Sequence, residues 1–211
     1  MTLLRVGLAT LWLAPALVAG APARYAVVPD ESSLTVHVGR AGLFKFAGHE
    51  HEVVTRAIEG EIVADPGDLA RSSVRLRFAT AGLRVSGTGE PEKDVPKVQA
   101  KMEGPDVLDV ARFPEVTFTS RSVKGTMKTP GTYALTVSGD LALHGATRAV
   151  ELPLEVKLDA ETLTTTGRFV LRQTDYGMKP VSVAGVVNVK DEVEIELRIV
   201  ARPQTADGSV K

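Results

Sequence analysis

Cysteine is absent from the 211 residues. That excludes disulfides, thiolate zinc sites, iron–sulfur clusters and thiol nucleophiles together. Aromatic residues are scarce, with six Phe, three Tyr and one Trp. No run of basic residues occurs and the formal net charge is −1, so nucleic acid and anionic membrane surfaces are not expected partners. Nucleophile elbows of the form Gly-x-Ser-x-Gly, phosphate-binding loops and the Gly-x-Gly-x-x-Gly fingerprint are all missing. Beyond the first segment, no apolar run approaches the roughly 20 residues that span a bilayer.

What is present begins with a leader-like stretch. Met1 to Arg5 carries one positive charge, Val6 to Val18 is mostly apolar, and small residues follow from Ala19 to Ala23. A charged start, a short apolar middle and a small-residue exit describe a secretory signal peptide. We therefore expect residues 1–23 to be a signal peptide, with cleavage after Ala19, Ala21 or Ala23, and a periplasmic or secreted location. The mature protein then loses Trp12 and has no stable membrane insertion. One folded domain is expected over residues 24–202, since apolar residues make up 44% and charged residues 24%, which are globular values. A polar tail is expected over 203–211.

The body alternates with period two, the mark of half-buried strands. Val150, Leu152, Leu154, Val156 and Leu158 share one face, as do Val193, Ile195, Leu197 and Ile199. The same pattern places Leu135, Val137, Leu141 and Leu143 together, then Val74, Leu76 and Phe78, then Leu34, Val36 and Val38, with His37 on the polar face. Shorter stretches of this kind lie at 58–64, 116–120, 162–171 and 181–189. Turn residues punctuate the runs at Asp65-Pro66-Gly67-Asp68, Thr129-Pro130-Gly131 and His144-Gly145-Ala146-Thr147. Short spacers force antiparallel neighbours, so the chain reads as an all-β meander of about eight strands, closed into a barrel or folded into a sandwich. One segment breaks the alternation. Val95, Val98 and Met102 recur at helical spacing, with Asp94 as a cap, Pro96 in the first turn and Gly104-Pro105 at the end. A second short helical turn is expected from Pro105 to Arg112.

A closed sheet turns these aliphatic faces inward. An eight-stranded barrel is the size at which the interior is either filled by side chains or holds one small ligand, and composition leaves both open. For a hollow barrel the arithmetic favours a long tail. Each buried CH₂ contributes about 0.8 kcal/mol, while association costs roughly 4–15 kcal/mol, so a ten-carbon chain barely binds.

Chemistry-bearing residues are few. In an extended strand His49 and His51 point to one side and can share a metal ion, but zinc takes three or four ligands and only His144 offers a third. Polar contacts to a ligand head group, or two solvated rim histidines, fit the same pair. Arg172, Asp175 and Tyr176 suggest a turn with an Arg–Asp pair. Phe113 and Phe118 flank a turn entering a strand and can face a core or a ligand.

Several segments together resemble the YceI-like family of exported bacterial lipid-binding proteins. They are Gly48-His-Glu-His51 with Ile58-Glu-Gly-Glu-Ile-Val-Ala-Asp65, Leu108-Asp-Val-Ala-Arg-Phe-Pro-Glu-Val-Thr-Phe-Thr-Ser120, Ser138-Gly-Asp-Leu-Ala-Leu-His-Gly-Ala-Thr-Arg148 and Arg172-Gln-Thr-Asp-Tyr-Gly177. Their order and spacing agree from about Tyr25 to Ala201. The resemblance implies an extended antiparallel barrel of lipocalin type with one or two short helices. It implies binding of polyisoprenoid, quinone-like or fatty amide lipids, with a transport, storage or stress role, no cofactor and no catalytic residues. The chain departs from the commoner pattern in its Gly-His-Glu-His segment and in the stretch from Pro91 to Pro105, both placed near the cavity mouth. For such a carrier the candidate ligand contacts are Phe44, Phe46, His49, His51, Phe113, Phe118, Leu141, Leu143, Phe169 and Tyr176. The partner is a long-chain lipid or isoprenoid, and a homodimer is left open.

Overall fold

The structure is a computed structural model that describes residues 22–41, 51–88, 91–183 and 187–204. Twelve strands follow the chain: β1 (Ala23–Val27), β2 (Ser33–Ala41), β3 (His51–Thr55), β4 (Glu59–Ala64), β5 (Ser73–Ala79), β6 (Arg84–Val85), β7 (Glu115–Thr129), β8 (Thr132–Leu143), β9 (Ala146–Leu158), β10 (Leu163–Arg172), β11 (Ser182–Val183) and β12 (Val187–Pro203). Among the described residues one α-helix, α1 (Val95–Glu103), lies between β6 and β7. The expected leader lies outside the described residues up to position 21. Ala23, the last residue of the expected signal peptide, already opens β1 and pairs with Ala64. At the other end the strand runs to Pro203, and the Gln204 amide donates to the Arg24 carbonyl, so the fold extends past the expected boundary at 202.

Eight strands form a closed antiparallel ring in the order β1, β4, β5, β7, β8, β9, β10 and β12, which returns to β1 through the Tyr25–Pro203, Ala26–Arg202 and Val27–Ala201 pairs. The meander expected from the alternation is thus a barrel, not a sandwich. Closure removes the unpaired edges that an open sheet presents. Three of the remaining strands continue ring members past short breaks, and β11 pairs with the start of β12. A 3-10 turn at Pro29–Glu31 separates β1 from β2, residues 56–58 separate β3 from β4, and a 3-10 turn at Thr80–Gly82 separates β5 from β6. Beyond these breaks β12 pairs with β2, β2 with β3, and β3 with β6. The ring end is called lower here, and the β2–β3–β6 end upper.

Local chemistry explains the connections. Two residues join β8 to β9, His144 (φ 50) and Gly145 (φ 75). Two successive positive φ angles give the primed turn whose twist matches a hairpin. A Cβ on Gly145 would lie 2.4 Å from the Phe113 ring, so glycine is required there twice over. The Asp65 carboxylate, 2% exposed, accepts from the Gly67 and Asp68 amides at 3.1 and 3.0 Å. It also meets Arg71 at 3.3 Å, fixing the loop that covers the lower end.

The alternation has its expected result. Tyr25, Val27, Ile58, Ile62, Val156, Leu163, Leu197 and Ile199 are buried as one lower cluster, and Val53, Leu83, Val85, Val107, Leu108, Tyr176 and Met178 as an upper one. Outside, opposite charges meet across strands. Arg77 lies 2.6 Å from Glu59, Arg121 2.6 Å from Asp140, and Arg168 3.0 Å from both Glu194 and Glu196. His37 stands on this outer face between Glu52 and Glu196, as its polar-face register predicts. Such exposed pairs contribute about 0–1 kcal/mol each, so the apolar interior dominates stability.

Two local expectations are corrected. Residues 105–112 form no second helical turn. The chain folds instead into hydrogen-bonded turns, with Leu108 and Asp109 amides bonded back to the Met102 and Gly104 carbonyls and Asp109 at φ 44. Asp94 stands at the N-cap position of α1 but makes no side-chain cap. Its carboxylate lies 3.9 Å from Lys97 instead.

Candidate functional site

The interior is hollow, in two adjoining parts. A narrow lower tube of about 130 Å³ runs between the faces of β4, β5, β8, β9, β10 and β12. An upper chamber of about 690 Å³ opens above it. Leu34, Phe78, Val116, Leu141 and Phe169 line both, forming a collar between the tube and the chamber. The span from Leu163 to Leu171 on β10 covers the height of the hollow, roughly 26 Å along the strand at ~3.3 Å per residue.

Polarity is unequal between the two. The tube is walled by side chains such as Leu76, Phe118, Leu135, Leu152 and Leu154, with Asp65 and Ser72 only at its covered end. The chamber keeps an apolar wall from Val36, Val53, Leu108 and Ile195, but its rim carries His51, Asp94, Lys97, Lys101 and Gln173. Val98 and Met102 of α1 face the same space, so the amphipathic helix closes the chamber with its apolar stripe and offers charge at the margin. Lys101 is held by Asp106 at 2.8 Å, which also meets Lys179 at 3.5 Å. These ammonium groups hold the Asp106 carboxyl below its ordinary value. Gln173 donates through Nε2 to the Lys190 carbonyl at 2.8 Å.

The structure brings Phe118, Leu141, Leu143, Phe169 and His51 to the hollow. Phe118 faces the tube, Leu143 and His51 face the chamber, and Leu141 and Phe169 stand at the collar. Phe113 and Tyr176 line neither part. Phe113 packs edge-on against His144 at 4.7 Å and 60°, beneath the Arg112 guanidinium at 5.0 Å. Tyr176 is 2% exposed within the upper cluster, and burial raises its phenol above the ordinary value, with Asp175 adding to the rise. Phe44, Phe46 and His49 lie outside the described residues. Among the described residues no group of three or more His, Asp or Glu side chains is placed to hold a metal ion. His144 is engaged elsewhere, its Nδ1 at 3.0 Å from the Tyr176 carbonyl.

The expected Arg172–Asp175 pair is not formed. Arg172 donates to Asp191 at 3.2 Å, and Asp191 also accepts from the Thr174 amide and hydroxyl at 2.9 and 2.7 Å. The turn itself is present as a 3-10 segment at Gln173–Tyr176 ended by Gly177 at φ 76. Asp94, Lys97 and Lys101 are rim residues that sequence reasoning missed. Their signal was the i, i+4 spacing of Lys97 and Lys101 beside Val98 and Met102, which the periodicity assigned only to helix packing.

The YceI-like domain model matches residues 25–201. The chain belongs to the YceI-like family. Two curated relatives, UPF0312 proteins of Pseudomonas savastanoi pv. phaseolicola and Pseudomonas syringae pv. syringae, are each 33% identical over 92 residues. That match covers 44% of this chain and 42% of each relative, so less than half of their length is spanned. Among solved structures, Burkholderia cenocepacia BcnA superposes with a TM-score of 0.63 at 19% identity, covering 82% of this chain and 98% of BcnA. A polyisoprenoid binding domain from Saccharophagus degradans, implicated in plant cell wall breakdown, gives 0.63 at 13% identity over 85% of this chain and 98% of that domain. The Campylobacter jejuni YceI protein gives 0.52 at 14% identity over 70% and 81%. At these identities the likeness to the solved structures carries the fold alone.

Proposed function

We propose that this YceI-like barrel binds a long-chain apolar lipid, of polyisoprenoid, quinone-like or fatty amide type, and carries or stores it in the bacterial periplasm. The observation that carries the reading is the pair of adjoining apolar cavities, the lower covered at its end by the Asp65 loop and the upper carrying charged and polar side chains at its rim. A pocket of 300–1,000 Å³ with a few convergent polar groups is the usual form of a small-molecule site. The naming of one structural neighbour as a polyisoprenoid binding domain supports the same class of ligand. The leader-like residues 1–23 support the compartment.

In this reading the tail threads through the collar at Leu141 and Phe169 into the tube, against Phe118. The bulkier part occupies the chamber beside Leu143, and the head group sits at the rim with His51, Lys97 and Gln173. No step makes or breaks a covalent bond. Binding gains about 25 cal/mol for each Å² of apolar surface removed from water, which favours a tail long enough to fill both parts. Protein purified without detergent, extracted and weighed by mass spectrometry, is expected to yield a long-chain lipid near one per chain. Empty protein that takes up no prenyl lipid from solution sinks the reading.

A further inference from the structure

The barrel wall has a window between β9 and β10. Their ladder runs from Leu163–Leu158 to Gly167–Leu154 and stops there. Above that point residues 146–153 of β9 pair only with β8, and residues 168–172 of β10 only with β12. The cause is local. Pro153, the next residue of β9, has no N–H to give a ladder. Gly167, the last paired residue of β10, stands so close to Leu154 that a Cβ would lie 2.4 Å from its Cδ2.

The window is framed on four sides. Its sill is the Gly167–Leu154 pair, and its lintel is the Gln173–Tyr176 turn. Arg148 Nε donates to the Asp175 carbonyl at 2.8 Å, and the His144 Nδ1–H donates to the Tyr176 carbonyl at 3.0 Å. Between sill and lintel lie about five residues of each strand, roughly 16 Å at ~3.3 Å per residue. Among the described residues no side-chain hydrogen bond or ion pair spans this stretch from β9 to β10. The inner jambs are Val150, Leu152, Phe169 and Leu171, all of which line the hollow. On the outside Val170 is 57% exposed, with Met127 one of the two most exposed large hydrophobics described. Among the described residues, Tyr176 OH on the lintel and His144 Nε2 on the adjoining β8–β9 turn are buried without hydrogen-bond partners.

We infer that this window is the route by which the hydrocarbon tail enters and leaves the barrel sideways, instead of being drawn end-on past α1. Inside the outward-facing Glu151, Arg168 and Arg172, an apolar path from Val170 through Phe169 to the collar lets a chain slide in without passing the rim of the chamber. The inference rests on the proposed carrier function and adds the path to it.

The absence of cysteine makes the test clean. Continuing the register beyond Gly167–Leu154 sets Val170 opposite Glu151. The Glu151→Cys, Val170→Cys pair, oxidised or bridged with a short bismaleimide, bars the window. The Glu155→Cys, Thr166→Cys pair bridges a position already laddered and serves as the control. Transfer of a pyrene-labelled fatty amide from phosphatidylcholine vesicles is followed by fluorescence, alongside the amount bound at equilibrium. Barring the window is expected to slow uptake and release at least about tenfold, the effect of ~1.4 kcal/mol of added barrier. The control pair leaves both rates as they were, and for a disulfide, reductant restores them. Unchanged rates in the barred protein overturn the window while leaving the carrier reading intact. A wild-type protein that binds no probe at equilibrium overturns both.

Discussion

The lower and upper halves of the barrel are built from the same alternating strands, yet one encloses a thin tube and the other a wide chamber. Below the collar the ring strands are hydrogen-bonded to both neighbours except where β9 and β10 part beyond Gly167–Leu154, and the space left is a thin tube. Above it the short β6 pairs only through Val53 and Val54 of β3, and α1 with the 104–113 turns covers what strands do not. Strand pattern alone does not make a cavity. The cavity appears where ladders end and a helix, which cannot join a sheet, takes the place of a wall.

If the lower half bears the stability, core truncation there is the largest effect. Ile199, 1% exposed, replaced by Ala is expected to cost about 2–5 kcal/mol, read from the midpoint of urea unfolding. Leu143→Ala, at the chamber wall, is expected to cost well under half of that. Equal losses at the two positions break the contrast.

The second effect concerns ligand. Leu141→Trp fills the collar and is expected to lower affinity for a prenyl lipid about tenfold, ~1.4 kcal/mol, with the fold retained by circular dichroism. Undiminished binding means that the tail never passes the collar.

A smaller effect tests why the wall opens. Pro153→Val restores a backbone donor and is expected to change stability by no more than ~0.5 kcal/mol. It should raise hydrogen-exchange protection at Arg168 and slow lipid transfer. Protection that does not rise points to the lintel, not the proline, as the cause of the opening.

The smallest is a pH effect on that lintel. The Thr174 hydroxyl and amide, with Arg172, hold the Asp191 carboxyl below its ordinary 3.8. A depressed folded value means that the anchor is fully present above 3.8 and weakens as pH falls through the lower folded value. Protection of the Thr174 amide is therefore expected to be flat from pH 8 to 5 and to drop only under strong acid. Asp191→Asn should lower it already at neutral pH. A titration centred near neutrality would assign the anchoring to another group.

Much of this was legible in the residues. The faces of β8, β9, β10 and β12, the outward His37, the β8–β9 turn at His144-Gly145 and the helix at 95–103 all follow from spacing and turn chemistry. The errors share one origin. The 105–112 segment has residues that tolerate a helix, but bonds back to Met102 and Gly104 decide its path. Arg172 has Asp175 three residues away and still chooses Asp191, which β12 delivers from another strand. Phe113 and Tyr176 look like ligand contacts by type, and the turn at His144 claims the first while the upper core buries the second.

Period-two alternation by itself determined that the chain is a sheet with one oily face, because side chains of a strand point to opposite sides whatever their partners are. Closure into a ring, the collar, the chamber behind α1 and the parting of β9 from β10 belong to the tertiary structure alone. They depend on which distant strand supplies each backbone bond, and local sequence does not encode a partner 50 or 150 residues away.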